Sequence, residues 1–343
     1  MRVGGLSMFK GSFKKHSRVS IPAYVLLSVI SIAAAIISPD FSRVGNISNV
    51  LAQVAPLAIV AVGQTLILIL GATDLSSGSV VSFATVIMVK VSVAVTNGIT
   101  NDSTVGLILA ILLCLGMGAL VGLINGLGIM RLNIPPMIMT LATGAIVKGI
   151  ALYVQPSSGG MVNKAFAKFI TRKFEPFNML FIIVLITYAL FVYLLAGTKW
   201  GRNIYAVGGS SVNATKNGIS VERTQISAYT VAGMLSGLGG ILLASRMFSA
   251  DPLVGDTYSL DSITAVIVGG TLITGGTGGV IGTLGGVFLV AMMGNVLNML
   301  EIFPYYQYII KGLILIIALF IGRVDKVKLK GLFQPVQFNV KGD

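Results

Sequence analysis

The chain has 343 residues, of which 55% are hydrophobic and 10% charged, and its 24 lysines and arginines stand against 11 acids for a net charge of +13. Soluble domains carry about 25% charged residues, so this composition leaves too little polar surface for a water-soluble fold. Apolar runs follow one another from Ile21 to Ile321 with no long polar divide, which predicts a single membrane domain over 21–322 between a basic tail at 1–20 and a second tail at 323–343.

A helix of about 20 apolar residues crosses the hydrocarbon core and satisfies its own backbone polar groups. By that measure the sequence predicts an all-α, polytopic integral membrane protein of about ten transmembrane helices. They run from approximately Ile21 to Ile37, Val50 to Leu70, Val80 to Val95, Val105 to Met130, Ile134 to Val154, Phe177 to Ala196, Gln225 to Ala244, Leu260 to Ile273, Val280 to Leu300 and Tyr305 to Ile321. The first follows a basic stretch and contains "SIAAA" at Ser31 to Ala35, which also fits a signal peptide. The eighth is short and fits a half-helix.

Basic residues accumulate on cytoplasmic flanks. With Lys10, Lys14, Lys15 and Arg18 inside, ten crossings return Arg323, Lys326, Lys328 and Lys330 to the inside, together with Arg131 and the loop 199–223. Both termini are then cytoplasmic. The loop holding Lys164, Lys168, Arg172 and Lys173 falls outside, against the rule, with only Glu175 to offset it.

Small residues recur at spacing four: Ala110, Cys114, Gly118, Gly122 and Gly126; Ala232, Ser236, Gly240 and Ala244; Gly278, Gly282 and Gly286. Such ridges let helix backbones approach closely in lipid. Two regions echo each other, "GATDLSSGS" at Gly71 to Ser79 and "GGTLITGGTGG" at Gly269 to Gly279, each after an apolar run, a faint sign of the internal repeats common in transporters.

Catalytic signatures are absent. The one cysteine, Cys114, lies mid-run and fits a packing role, the one histidine, His16, lies in a basic tail, and metal-ligand spacing is missing. No Gly-Lys dipeptide occurs, so the phosphate-cradling loop of ATPases is missing and any ATP must be hydrolysed by another subunit. Nothing resembles a nucleic-acid module.

Polar residues inside apolar segments are costly in lipid and should face the interior: Gln53, Gln64, Lys90, Asn125, Thr140, Thr143, Lys148, Asn295, Asn298 and Lys311. The neutral ones either line a pathway or bond between helices, with bonding the default, while the lysines default to snorkelling toward a membrane face. Asp74, in a Thr-Asp-Leu-Ser turn, suits a cap for a helix starting near Leu75 better than ion coupling. In the loop "KWGRNIYAVGGSSVNATKNGISVER", Gly208 and Gly209 should break the chain, Ser210 or Ser211 should N-cap a short helix, and Gly218 should end it. Ile219 and Val221 keep apolar character there, which suits a docking surface rather than a plain connector.

These residues carry a resemblance. "GATDLSSGSV" at Gly71 to Val80, with Asp74, Leu75, Ser76 and Gly78, "GLINGLGI" at Gly122 to Ile129, and "IPPMIMTLAT" at Ile134 to Thr143 resemble, in order, signatures of the membrane subunits of ribose-type and galactose-type sugar ABC importers. "LDSITAVIVGGT" at Leu260 to Thr271 and "YYQYIIKG" at Tyr305 to Gly312 resemble the C-terminal signatures. "GRNIYAVGG" and "NGIS" resemble the coupling segment, which places Gly208, Gly209, Ser210, Ser211, Val212, Asn213, Ala214, Asn217, Gly218 and Ile219 against an ATPase. Ser211, Val212 and Asn213 stand where that family often has an acid and two alanines.

The resemblance implies a type II importer permease in a bacterial cytoplasmic membrane. It would pair with itself or a paralogue, two ATP-binding cassette subunits carrying ATP and magnesium, and an extracytoplasmic sugar-binding protein. It retains the first segment as a helix. It also implies alternating access at the dimer interface, with Gln53, Gln64, Asn125 and Asn298 as pathway candidates and no cofactor on this chain. The alternatives are an ion-coupled secondary transporter, an importer of nucleosides or other sugar-like solutes, and a membrane scaffold or receptor.

Overall fold

A computed structural model describes residues 23–36, 38–95, 103–174 and 176–303, with parts of 305–316. The two tails, His16, Glu175, Lys311 and most of the tenth expected segment lie outside the described residues.

Helix follows helix. The elements are α1 Ala23–Ile36, a 3-10 turn Pro39–Ser42, α2 Val44–Ile69, α3 Ser77–Val95, α4 Thr104–Arg131, α5 Pro136–Val154, α6 Lys164–Ile170, α7 Met179–Gly197, α8 Lys199–Gly209, α9 Ser211–Lys216, α10 Val221–Met247, α11 Tyr258–Val268 and α12 Val280–Met299. The one sheet among the described residues is a hairpin of β1 Lys173–Phe174 and β2 Phe177–Asn178, antiparallel with Phe174 opposite Phe177. Among the described residues six helices, α2, α4, α5, α7, α10 and α12, are long and apolar enough to cross a membrane, and α1, α3 and α11 are shorter apolar helices.

The starts are written in the side chains. Ser103, Asn163, Asn178, Thr198, Ser210 and Ser220 each accept a backbone N–H from three residues on, and Pro135 and Pro136 open α5 where no N–H is needed.

Helices α2 and α10 form the middle; from Val54 to Ile69 every residue of α2 is buried. Close approach is the means. A side chain at Gly118 or Gly122 of α4 would run into the backbone of Gly233 or Tyr229 of α10, and one at Gly237 into Cys114. The expected α4 ridge therefore packs on α10. The Ala232 ridge of α10 turns the other way: Ala232 lies against Gly63 of α2 and Gly240 against Val81 of α3. The third ridge binds α12 to α11, with Gly282 on Gly269 and Gly286 on Ala265.

The two echoing segments meet in space. Helix α2 ends with Gly71 N–H donating to Leu68 O and Ala72 N–H to Ile67 O; α11 ends with Gly270 N–H donating to Ile267 O and Thr271 N–H to Val266 O. Both are Schellman motifs with glycine at positive φ, +77° and +95°. The second turn packs on the first through Gly276 N–H to Ile69 O at 2.8 Å, and Thr65 and Thr283 hydroxyls bond at 2.7 Å between α2 and α12.

Two expectations need correction. The eighth segment, read as Leu260 to Ile273, is helical only over Tyr258–Val268, because Gly269 and Gly270 supply the Schellman stop. Gly208 and Gly209 do not break the chain: α8 runs through both, and the break falls at Ser210. Glycine costs a helix about 1 kcal/mol per residue, and packing outweighs it here, since only a residue without Cβ fits where Gly208 lies on the carbonyl of Ile69.

Candidate functional site

At one end of the bundle the loop 199–223 forms two short helices. Ser210 Oγ accepts the Asn213 N–H at 3.2 Å to start α9, as its spacing predicts. The stop is Gly218, at φ +75°, with its own N–H on Thr215 O and that of Ile219 on Ala214 O. Ala214 is buried and Ile219 half-buried against the core, while Ser211, Val212, Asn213, Thr215, Lys216 and Asn217 face outward. Val212 is 64% exposed, an apolar side chain at the centre of a polar, basic surface.

Helix α9 is tied to the core through α8. Gly208 lies against Ile69 and Gly276, Gly209 against Gly276, and Tyr205 donates its hydroxyl to Gly278 O at 2.9 Å. Burial pushes the Tyr205 phenol above its ordinary range, so it serves as a neutral donor. Trp200 Nε1 reaches Ser227 Oγ of α10 at 2.8 Å, and Arg131 at the end of α4 pairs with Glu222 at 2.8 Å. A push on α9 therefore meets α10 directly and, through α8, reaches α2 and the 269–279 turn.

A second set of polar groups is closed inside. Asp74, 2% exposed, accepts from both Ser76 N–H at 2.8 Å and Ser76 Oγ at 2.6 Å. This is an Asx turn that leads into α3 at Ser77, two residues later than the expected start near Leu75. Asn125 Nδ2 donates to Ser76 Oγ at 2.9 Å, and Asn125 Oδ1 accepts from Thr143 at 2.6 Å. Thr140 Oγ1 takes the Leu75 N–H at 3.1 Å. With its amide oxygen and nitrogen assigned by their partners, Gln64 bonds the backbone of Asp74, donating to its carbonyl at 3.2 Å and accepting from its N–H at 3.3 Å.

The four pathway candidates thus do not form one group. Gln64 and Asn125 belong to the buried network around Asp74. Gln53, half-buried, lies about 24 Å of helical rise from Ile69, beside Gly294 of α12, and Asn298 is exposed and accepts from Gln307 at 2.8 Å. Between these helices Asn46 and Asn295 exchange amide bonds of 3.2 and 3.0 Å. That pairing of neutral amides is the interhelical bonding expected by default.

One pair escaped the sequence. Lys148 of α5 bonds Asp256, in the stretch before α11, at 2.6 Å instead of snorkelling toward a membrane face. The lysine was visible in its apolar segment; only the fold brings the aspartate to it. Among the described residues no group of His, Cys, Asp or Glu is arranged to hold a metal ion.

Comparison with known proteins agrees with this architecture. The ribose import permease protein RbsC of Bacillus subtilis is 35% identical over 87% of this chain and 90% of its own length. That of Haemophilus influenzae is 34% identical over 90% and 93%. The galactose/methyl galactoside import permease protein MglC of Haemophilus influenzae is 35% identical over 90% and 94%. No solved structure matches significantly. Residues 46–319 match the family described as the permease component of branched-chain amino acid transport systems, and the chain, a multi-pass membrane protein, belongs to that permease family.

Proposed function

We propose that this chain is the permease subunit of an ATP-binding cassette importer for a small sugar, pentose or hexose. The family description names amino acids, but the relatives that match along nine-tenths of their length are named for ribose and galactose, and these support the sugar reading. Two permease subunits enclose the passage, two ATPase subunits supply ATP and magnesium, and a sugar-loaded binding protein delivers the solute on the other side. The α9 end faces the cytoplasm in this reading, as its basic residues favour.

The observation that carries the reading is α9 itself: a short helix, capped at both ends, exposed around Val212 and seated on α8 and α10. ATP-driven closure of the ATPases changes the contacts on α9, and the two membrane states differ in how well they match each arrangement. Gln53 and Asn298 face the passage from the far end, while Gln64 and Asn125 act from within by holding the Asp74 turn.

The test is ATP hydrolysis by permease and ATPase in lipid discs, with and without sugar-loaded binding protein. Gly218→Pro removes the N–H that bonds Thr215 and demands a negative φ where the chain has +75°. Stimulation in the wild type and its loss in an assembled, folded variant is the expected result. Equal hydrolysis in every arm sinks the importer and favours an ion-coupled carrier.

A further inference from the structure

Between α10 and α11 the chain returns into the bundle without helical structure. Asp251 exchanges bonds with Thr85 of α3 at 3.2 Å, Gly255 N–H reaches Ser82 Oγ at 2.8 Å, and Gly78 N–H reaches Ser259 Oγ at 2.9 Å. Residues 251–259 thus run down α3 from Thr85 to Gly78. The depth follows from α4 and α5. Asn125 precedes Arg131 by six residues, about 9 Å of helix, and bonds Ser76, on which Gly144 of α5 packs; Lys148 lies one turn beyond Gly144, about 6 Å more. Lys148 and Asp256 therefore sit roughly 15 Å from the Arg131 end, the middle of a hydrocarbon core about 30 Å thick.

At that depth the pair is open on this chain. The side chains of Lys148 and Asp256 are 37% and 44% exposed, and Leu253 and Leu260 beside them are exposed as well. Charged groups at mid-membrane face a protein interior or water, and non-helical backbone there is tolerated only when buried in protein or lining a water-filled cavity. Two independent features, an ion pair and an irregular segment, thus keep the same surface away from lipid.

We infer that Lys148, Asp256 and segment 251–257 line the solute passage, with the ion pair as a mid-membrane contact for an uncharged polyhydroxyl solute. This rests on the permease reading above. An ammonium offers three donors and a carboxylate only acceptors, so together they match hydroxyl groups, and their net charge of zero neither traps an ion nor demands one. Arg131 and Glu222, by contrast, pair at the end of the bundle, where bulk water is at hand.

The sole cysteine, Cys114, is buried, so introduced cysteines report alone. Leu253→Cys and Asp256→Cys, in the assembled importer in membrane vesicles of both orientations, should react with a charged, membrane-impermeant thiol reagent at least about tenfold faster than Leu112→Cys, on the α4 face that is 61% exposed and suited to lipid. Both remaining as slow as Leu112→Cys from either side, while reacting in detergent after subunit dissociation, would overturn the inference and assign the surface to a dry contact with the second permease. Lys148→Met should also lower ribose or galactose uptake about tenfold, with ATPase stimulation by the binding protein retained; unchanged uptake overturns the solute contact. If the wild type imports neither sugar, the sugar reading fails, but the labelling still decides whether the surface is wet.

Discussion

Two stretches of non-helical chain lie within the membrane bundle, residues 70–76 between α2 and α3 and residues 248–257 between α10 and α11, and they are finished differently. The first is closed around its carboxylate: Asp74 and Ser76 are buried and held by Gln64, Asn125, Thr140 and Thr143, and only Gly71, where the stretch leaves α2, is exposed. The second is sealed toward α3 by Thr85 and Ser82 but leaves Leu253 and Asp256 open. Serine and threonine hydroxyls replace the missing helical bonds in both. The difference teaches that a broken crossing is not by itself a site: the closed one is scaffold, and the open one is left for something outside the chain.

The open stretch touches the first turn of α3, just beyond the closed stretch, and the largest effect is expected there. A side chain at Gly78 would run into the carbonyl of Gly255, and one at Gly255 into that of Gly78. Gly78→Val should push α3 and the open stretch apart at a cost of roughly 3 kcal/mol or more and leave little protein eluting as a folded species in size-exclusion chromatography. A well-folded variant would show that the contact is looser than the backbone positions indicate.

A middle effect belongs to the closed stretch. Asn125→Leu removes the donor to Ser76 and the acceptor for Thr143, a loss of about 1 to 3 kcal/mol for groups stranded in the interior. The melting temperature in detergent should fall, and proteolysis in the 70–76 region should accelerate. Thr143→Val, which removes only the donor to Asn125 Oδ1 and leaves the bond to Ser76, separates the two halves of the loss.

Much of this was legible in the sequence because the controlling residues act locally. Ser210 and Gly218 bracket α9 through bonds spanning three to five residues, and the small-residue ridges of α4 and α12 follow from helical period alone. What could not be read depends on distant partners. Gly208 continues a helix only because Ile69 lies beneath it, and Lys148 stays at mid-membrane only because a chain more than a hundred residues later places Asp256 within reach. Asp74 shows the middle case: its bond to the backbone two residues on is local, but the burial that makes the turn rigid comes from α4 and α5.

The smallest effect on stability should come from the open stretch, which is what sets it apart. Asp256→Asn leaves a carboxamide that still accepts from Lys148, and a pair as exposed as this one contributes at most about 1 kcal/mol. The melting temperature should therefore stay close to that of the wild type, well above Asn125→Leu in the same detergent. A fall as large as that of Asn125→Leu would mean that the pair holds the fold together, as the network around Asp74 does, and the two stretches would then be scaffold alike. A stable variant whose uptake of sugar declines while ATP hydrolysis still responds to the binding protein keeps them distinct, because a loss that spares both fold and coupling belongs to a group facing the passage.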